Sequence, residues 1–288
     1  MMRRWVILCL ALLLLVLEAG KAAKLHTGGD LIDPILGVVS ETQQQGQIPE
    51  QTLPDPTEPV EWPVENPYGR KDFVYQGQWL ECTAGYALRG IDISSHQGVI
   101  DWPTAADQGL DFVMVRVGYR GFEDGVIYED ELARENILGA LEQELKVGVY
   151  FFSQALTAEE AREEAEFVVE FIKDYNITMP VAFDWEHVER RADYIRTEDM
   201  FDREILTACA SVFNSVVRAA GYKPMVYFNP YQAEDLLDLE SLDPCCLWLA
   251  HYRAAMTFPW KIDMWQYSDR GVVKGIKEKV DLNIYFPY

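Results

Sequence analysis

Positive charge is scarce in this chain of 288 residues: 25 Lys and Arg stand against 47 Asp and Glu, a formal net charge of −22. Removing residues 1–24, which carry Arg3, Arg4, Lys21 and Lys24 against Glu18, takes away a net +3 and leaves −25. Such a surface repels polyanions at long range, which excludes nucleic acid or an anionic membrane surface as a charge-steered partner. Cysteine is scarce too. Apart from Cys9 there are Cys82, Cys209, Cys245 and Cys246, with no Cys-x-x-Cys or Cys/His spacing that would hold zinc. No metal and no cofactor is expected. The four later cysteines allow three pairings, and free buried thiols fit as well as a disulfide. Long hydrophobic runs are also missing. The stretch Trp5–Leu17 has 13 residues, short of the roughly 20 that span a bilayer. Behind Met1-Met-Arg-Arg4 it has the charge and length of an export signal, but Glu18 and Lys21 interrupt the small residues of a cleavage site. Export is expected, with retention as a membrane anchor through residues 5–17 as the alternative.

What the chain does have is arranged in order. Residues 25–70 lose hydrophobic periodicity and gain Pro, Gln and Glu, as in Gln43-Gln-Gln-Gly-Gln-Ile-Pro-Glu50, so they read as an extended linker. Residues 71–87 regain aromatics (Phe73, Tyr75, Trp79, Tyr86) and read as a lead-in packed on one domain spanning 71–288. Strand signals follow at 88–93, 111–117, 146–152, 179–183, 223–228, 246–250, 261–267 and 279–285. Helical spacing lies between them at 129–145, from the capping box Thr157-Ala-Glu-Glu160 onward, at 197–220 and near 231–237. Eight strands alternating with helices imply an α/β fold, an irregular (β/α) barrel of TIM type with short or missing helices in the last repeats.

In such a barrel the chemistry sits at the C-terminal strand ends. Those positions hold Asp92, Asp184, Glu186 and Asp281, with Tyr119, Tyr227, Asn229, Trp248, Tyr252, Trp265 and Gln266 as candidate substrate contacts. Asp184 and Glu186 in Phe183-Asp-Trp-Glu186 are two apart on a strand, so both face one way with Cα atoms roughly 6.5 Å apart. Repulsion and partial burial keep one such carboxyl protonated while its neighbour stays ionised, the division of labour that cleaving a glycosidic bond needs. An acid-x-acid triplet alone is weak evidence, because most are solvated. Aromatic rings that stack on sugar C–H faces strengthen it. His96, beside a loop glycine, is expected to be a structural hydrogen bonder.

Seven ordered motifs then carry a family likeness: Gly90-Ile-Asp-Ile-Ser-Ser-His-Gln-Gly98 with Ile100-Asp-Trp102, Val115-Arg-Val-Gly-Tyr119, Gly148-Val-Tyr-Phe-Phe152, Asp184-Trp-Glu186, Trp248-Leu-Ala-His-Tyr252, Met264-Trp-Gln-Tyr267 and Val280-Asp-Leu-Asn283. Over residues 86–288 the chain resembles glycoside hydrolase family 25, lysozymes that hydrolyse the β-1,4 bond between N-acetylmuramic acid and N-acetylglucosamine in peptidoglycan. The resemblance implies Glu186 as acid/base, Asp184 as the carboxylate that orients the substrate acetamido group, and Asp92 and Asp281 as the remaining acids. It also implies net retention and peptidoglycan glycan strands as the partner; a monomer is expected, and the export signal points to the extracellular or cell-wall space. A chitinase-like hexosaminidase is the competing enzyme. Such barrels carry further acids upstream on the same strand, where this chain has Pro180 and Ala182. A wall-binding module without catalysis is the competing non-enzyme, and an intact Glu186 argues against it.

Overall fold

The structure is a computed structural model that describes residues 62–188 and 202–287. The expected export segment 1–24, the linker as far as residue 61 and the sequence 189–201 lie outside the described residues. The described chain opens with an antiparallel hairpin, β1 (Phe73–Gln76) and β2 (Trp79–Cys82), turned at Gly77 with φ +65°. Positive φ is the conformation that a two-residue hairpin loop asks of its first residue, and glycine adopts it without strain. There follow β3 (Leu88–Ile93), α1 (Trp102–Ala106), β4 (Phe112–Arg120), β5 (Ile127–Glu129), α2 (Ala133–Glu142) and β6 (Lys146–Ser153). Then come α3 (Ala158–Ile172), β7 (Val181–Trp185), α4 (Arg203–Ala219), β8 (Pro224–Phe228), β9 (Cys246–Ala250), β10 (Met264–Gly271) and β11 (Val280–Tyr285).

The strand order β3-β11-β10-β9-β8-β7-β6-β4, with β3 also paired to β4, closes an eight-stranded barrel of the expected irregular α/β kind. Two expectations need correction. The last strand is not parallel: β11 runs antiparallel to both β10 and β3. The link 272–279 is shorter than the dozen or so residues that a parallel crossover needs, so the chain turns back as a hairpin. The helix expected from residue 129 starts at Ala133, because Ile127–Glu129 pairs with Gly118–Arg120 as β5. The helix expected from 197 is described from Arg203, where the Asp202 side chain accepts the Ile205 amide at 3.0 Å. Thr157 caps α3 as expected, accepting the Glu160 amide at 3.2 Å.

Side chains alternate across each barrel strand, one to the interior and one to the outer shell. Inside, Phe112 of β4 fills the space over Gly90 of β3, where a Cβ would come within 2.4 Å of the ring. Met114 stands in the same way over Gly148 of β6. The lower barrel is therefore a packed apolar plug that includes Leu88, Phe112, Met114, Met225, Met264 and Tyr285. Polar groups begin one layer higher.

Outside, α3 and α4 pack on each other, and α4 also lies on β7 and β8. Among the described residues no helix follows β10 or β11, and residues ahead of β3 cover these strands instead. Trp62 Nε1 donates to Leu239 O at 2.9 Å, and Asn66 Nδ2 donates to Phe258 O at 2.8 Å. The Tyr68 ring stacks on Phe286 at 4.8 Å, and Phe73 meets Trp265 edge-on at 5.3 Å. Packing thus starts no later than Trp62, nine residues before the expected boundary at 71. Cys82, Cys209, Cys245 and Cys246 are free thiols. Burial pushes Cys209 and Cys245 up to about 12 and Cys246 higher still.

A chain beginning at residue 71 lacks the Trp62, Asn66 and Tyr68 contacts and is expected to melt below one beginning at residue 57. Each kcal/mol lost lowers the midpoint by roughly 2–4 °C in a domain of this size, so a gap of about 5 °C or more in a thermal scan is the expected result. Equal midpoints would mean that the strap adds nothing to stability.

Candidate active site

Asp92 is the last residue but one of β3, with its side chain inside the barrel, almost wholly buried. Its Oδ2 accepts Asn283 Nδ2 at 2.6 Å and Gln266 Nε2 at 2.9 Å. Each amide is held in turn from its other end. Gln266 Oε1 accepts the hydroxyls of Tyr252 at 2.7 Å and Tyr227 at 3.0 Å, and Asn283 Oδ1 accepts Trp248 Nε1 at 2.9 Å. Five strand-end side chains are thereby oriented by one carboxylate. Asp281, register partner of Asp92 across β11 and β3, shares a hydrogen bond with it. Burial raises Asp92 to about 6 against the pull of its amide donors. Burial, then the Asp92 charge, raises Asp281 to about 8. Near neutral pH the proton of the pair therefore stays on Asp281, and Asp92, whose Oδ2 accepts two amide donors, is the anion.

The other two acids leave the end of β7. Asp184 is buried, and its Oδ1 has no hydrogen-bond partner among the described residues. Burial, then the Glu186 charge, holds its carboxyl well above the usual range. Glu186 is half-buried, and burial followed by the charge of Asp92 raises it as well. Arg116 of β4 opposes the Asp184 shift, its charge lowering that carboxyl. Its Nε donates to Asp130 Oδ2 at 2.8 Å, and it lies over the Tyr119 ring with 5.4 Å to the centroid.

A cavity of about 360 Å³ at this mouth is lined by all four acids and by Tyr227, Trp248, Tyr252 and Gln266. Three expected contacts lie elsewhere. Tyr119 lines an adjoining cavity and stacks on Tyr128 at 5.3 Å. Asn229 does not line the mouth; its Oδ1 accepts the Gln232 amide at 3.0 Å, and Gln232 Nε2 reaches Trp185 O at 2.5 Å. Trp265 faces the outer shell, fully buried, with Nε1 donating to His251 O at 2.7 Å. Strand alternation explains this last case: Gln266 points inward, so its neighbour cannot. His96 lines both cavities, and its backbone amide is held by Ser94 Oγ at 3.3 Å. Sequence reasoning assigned nothing to Arg116, Tyr150, Phe152 or Asn283, all of which lie in this mouth or its support. Period-two alternation from Met114 to Arg116 and from Asp281 to Asn283 was the available signal. A larger hollow of about 440 Å³ near His251 and Trp260 contains none of the four acids, so chemistry rather than size selects the site.

Carboxyls held at different protonation levels among aromatic rings that meet edge-on, Trp248 against Tyr227 and Tyr150, suit glycoside cleavage at a barrel mouth. Known proteins agree with that assignment. The glycosyl hydrolases family 25 model matches residues 91–276, and the chain belongs to this family of glycoside hydrolases. An uncharacterized protein YegX of Escherichia coli K12 is 25% identical over 218 residues, 72% of each chain. An autolytic lysozyme of Clostridium acetobutylicum is 24% identical over 200 residues, 68% of this chain and 55% of that one. Among solved structures, the modular autolysin LytC of Streptococcus pneumoniae superposes with a TM-score of 0.61 at 25% identity, covering 74% of this chain. This chain spans about half of that autolysin, 52% of its length.

The raised acids set a pH dependence of stability. Asp92 and Asp281 hold protons in the folded state that the unfolded chain has already released near pH 4. Their contribution is thus complete below about pH 4 and is lost as pH rises through 6 and 8. Asp281→Asn is expected to shrink the fall in melting temperature between pH 5 and pH 8. An unchanged fall would assign it to another group, such as Glu164, which burial raises to about 7.

Proposed function

We propose that this chain is a peptidoglycan hydrolase that cuts the β-1,4 bond between N-acetylmuramic acid and N-acetylglucosamine with net retention. The observation that carries the reading is the pair Asp184 and Glu186, both raised and both lining one ring-walled cavity at the end of β7. Its family membership and the names of two relatives, an autolytic lysozyme and a modular autolysin, support the substrate class.

In this mechanism protonated Glu186 gives its proton to the leaving glycosidic oxygen. Asp184 aligns the substrate acetamido group, whose carbonyl oxygen attacks the anomeric carbon as the old bond breaks. Water then attacks from the vacated side, losing a proton to Glu186, and the original configuration returns. Asp92 and Asp281 hold the floor, and Tyr227, Trp248, Tyr252 and Gln266 meet the sugar. The raised Glu186 carboxyl keeps the acid form populated, so activity declines as pH rises past its titration. Residues 1–24 export or anchor the chain, and the linker behind them spaces the barrel from the membrane. Recovery of all the protein in the medium with an N-terminus near residue 23 would exclude the anchor.

Glu186→Gln is expected to lower kcat roughly 10²–10⁴-fold at an unchanged melting temperature, since the amide keeps the shape but has no proton to deliver. A variant retaining over half its activity would remove Glu186 from the mechanism. Asp184→Asn should slow N-acetylated glycan sharply, and N-deacetylated glycan should be a poor substrate even for the parent. Mass spectrometry of the released fragments identifies the new reducing end; N-acetylglucosamine there would overturn the muramidase assignment.

A further inference from the structure

The mouth that holds the acids does not end at its own wall. A second cavity of about 530 Å³ adjoins it, and His96, Arg116 and Phe152 line both. Arg116 is the hinge of the two spaces. Its Nε and one terminal nitrogen both lie 2.8 Å from Asp130 Oδ2, and that nitrogen also reaches Ser95 Oγ at 3.3 Å. The remaining terminal nitrogen has no partner among the described residues. A guanidinium fixed along one edge and stacked on Tyr119 is a preorganised donor for a carbonyl or carboxylate.

Beyond Arg116 the second cavity combines the stacked rings of Tyr119 and Tyr128 with the exposed carboxylates Glu123 and Glu131. Tyr128 is held by its hydroxyl, which donates to Asp124 Oδ2 at 2.6 Å. A plain sugar chain has no use for such a side room. N-acetylmuramic acid does, because its lactyl ether carries a carbonyl and then a short peptide off the glycan axis.

We propose that the second cavity receives the stem peptide of the muramoyl residue, with Arg116 donating to the lactyl or first peptide carbonyl. The Tyr119–Tyr128 pair supports the peptide backbone and small side chains. Glu123 and Glu131 face the ammonium of the stem's diamino acid. This assignment rests on the muramidase reading and adds a specificity element that a chitin chain cannot use.

The test uses the full chain and the disaccharide N-acetylglucosaminyl-N-acetylmuramic acid with and without its stem peptide, which contains no bond that a muramidase cuts. Titration calorimetry is expected to show at least a tenfold tighter Kd with the peptide. Tyr128→Ala and Glu131→Ala, both at exposed positions, should each remove at least threefold of that gain, and the double variant most of it. Equal Kd values for the two ligands, or a gain intact in the double variant, would overturn the proposal. Failure of the muramidase reading is a separate result: the parent would leave glycan strands uncut, whichever way the titrations fall.

Discussion

The hydrogen bonds from Gln266 and Asn283 to Asp92 are the constraint on which the rest of the mouth depends. A buried carboxylate is costly unless donors surround it, and both donors here are amides whose other ends are occupied. That requirement propagates outward. Tyr227 and Tyr252 can stand where they do because Gln266 presents its carbonyl to them, and Trp248 because Asn283 does the same. One anion therefore fixes the amide orientations, and the amides fix the rings. The strands that supply these groups, β3, β8, β9, β10 and β11, meet only when the barrel closes, so the site cannot form in any part of the chain by itself.

Closure in turn depends on how a short last link is handled. Eight residues cannot carry β11 around for a parallel return, so it enters as an antiparallel insert between β10 and β3. This choice puts Asp281 at the beginning of its strand yet level with Asp92 at the end of β3. The same economy of helices leaves an apolar outer wall around Trp265 and Phe286, and the segment ahead of the barrel covers it with Tyr68 and Phe73. Lead-in and insert are two parts of one solution to a barrel built with too few helices.

Much of this was legible beforehand. All eight barrel strands carry β-branched or apolar runs, and Asp92, Asp184 and Glu186 occur at or just past the C-terminal ends of theirs, where a barrel places chemistry, while Asp281 reaches the same mouth from the start of the antiparallel β11. Legibility failed where pairing rather than pattern decides. The strand Ile127–Glu129 is three residues long and exists because β4 offers it an edge, so periodicity could not separate it from the helix that follows. Trp265 and Gln266 are adjacent, and only the register with β9 and β11 tells which one faces inward. Arg116 was hidden by its setting: a charged residue between valines reads as an interruption until Asp130, fourteen positions later, is found beside it. Asn229 lies near the end of a barrel strand as expected, but its side chain is spent on Gln232.

The cysteines carry a consequence of another kind. Three of the four thiols in the described chain are held neutral by their burial, two of them within neighbouring positions 245 and 246. Nucleophilic attack on a disulfide or an oxidant needs the thiolate, so these sulfurs are redox-silent while the chain is folded. The packing of the barrel therefore rests on no covalent cross-link among the described residues, where Cys82, Cys209, Cys245 and Cys246 are all free thiols.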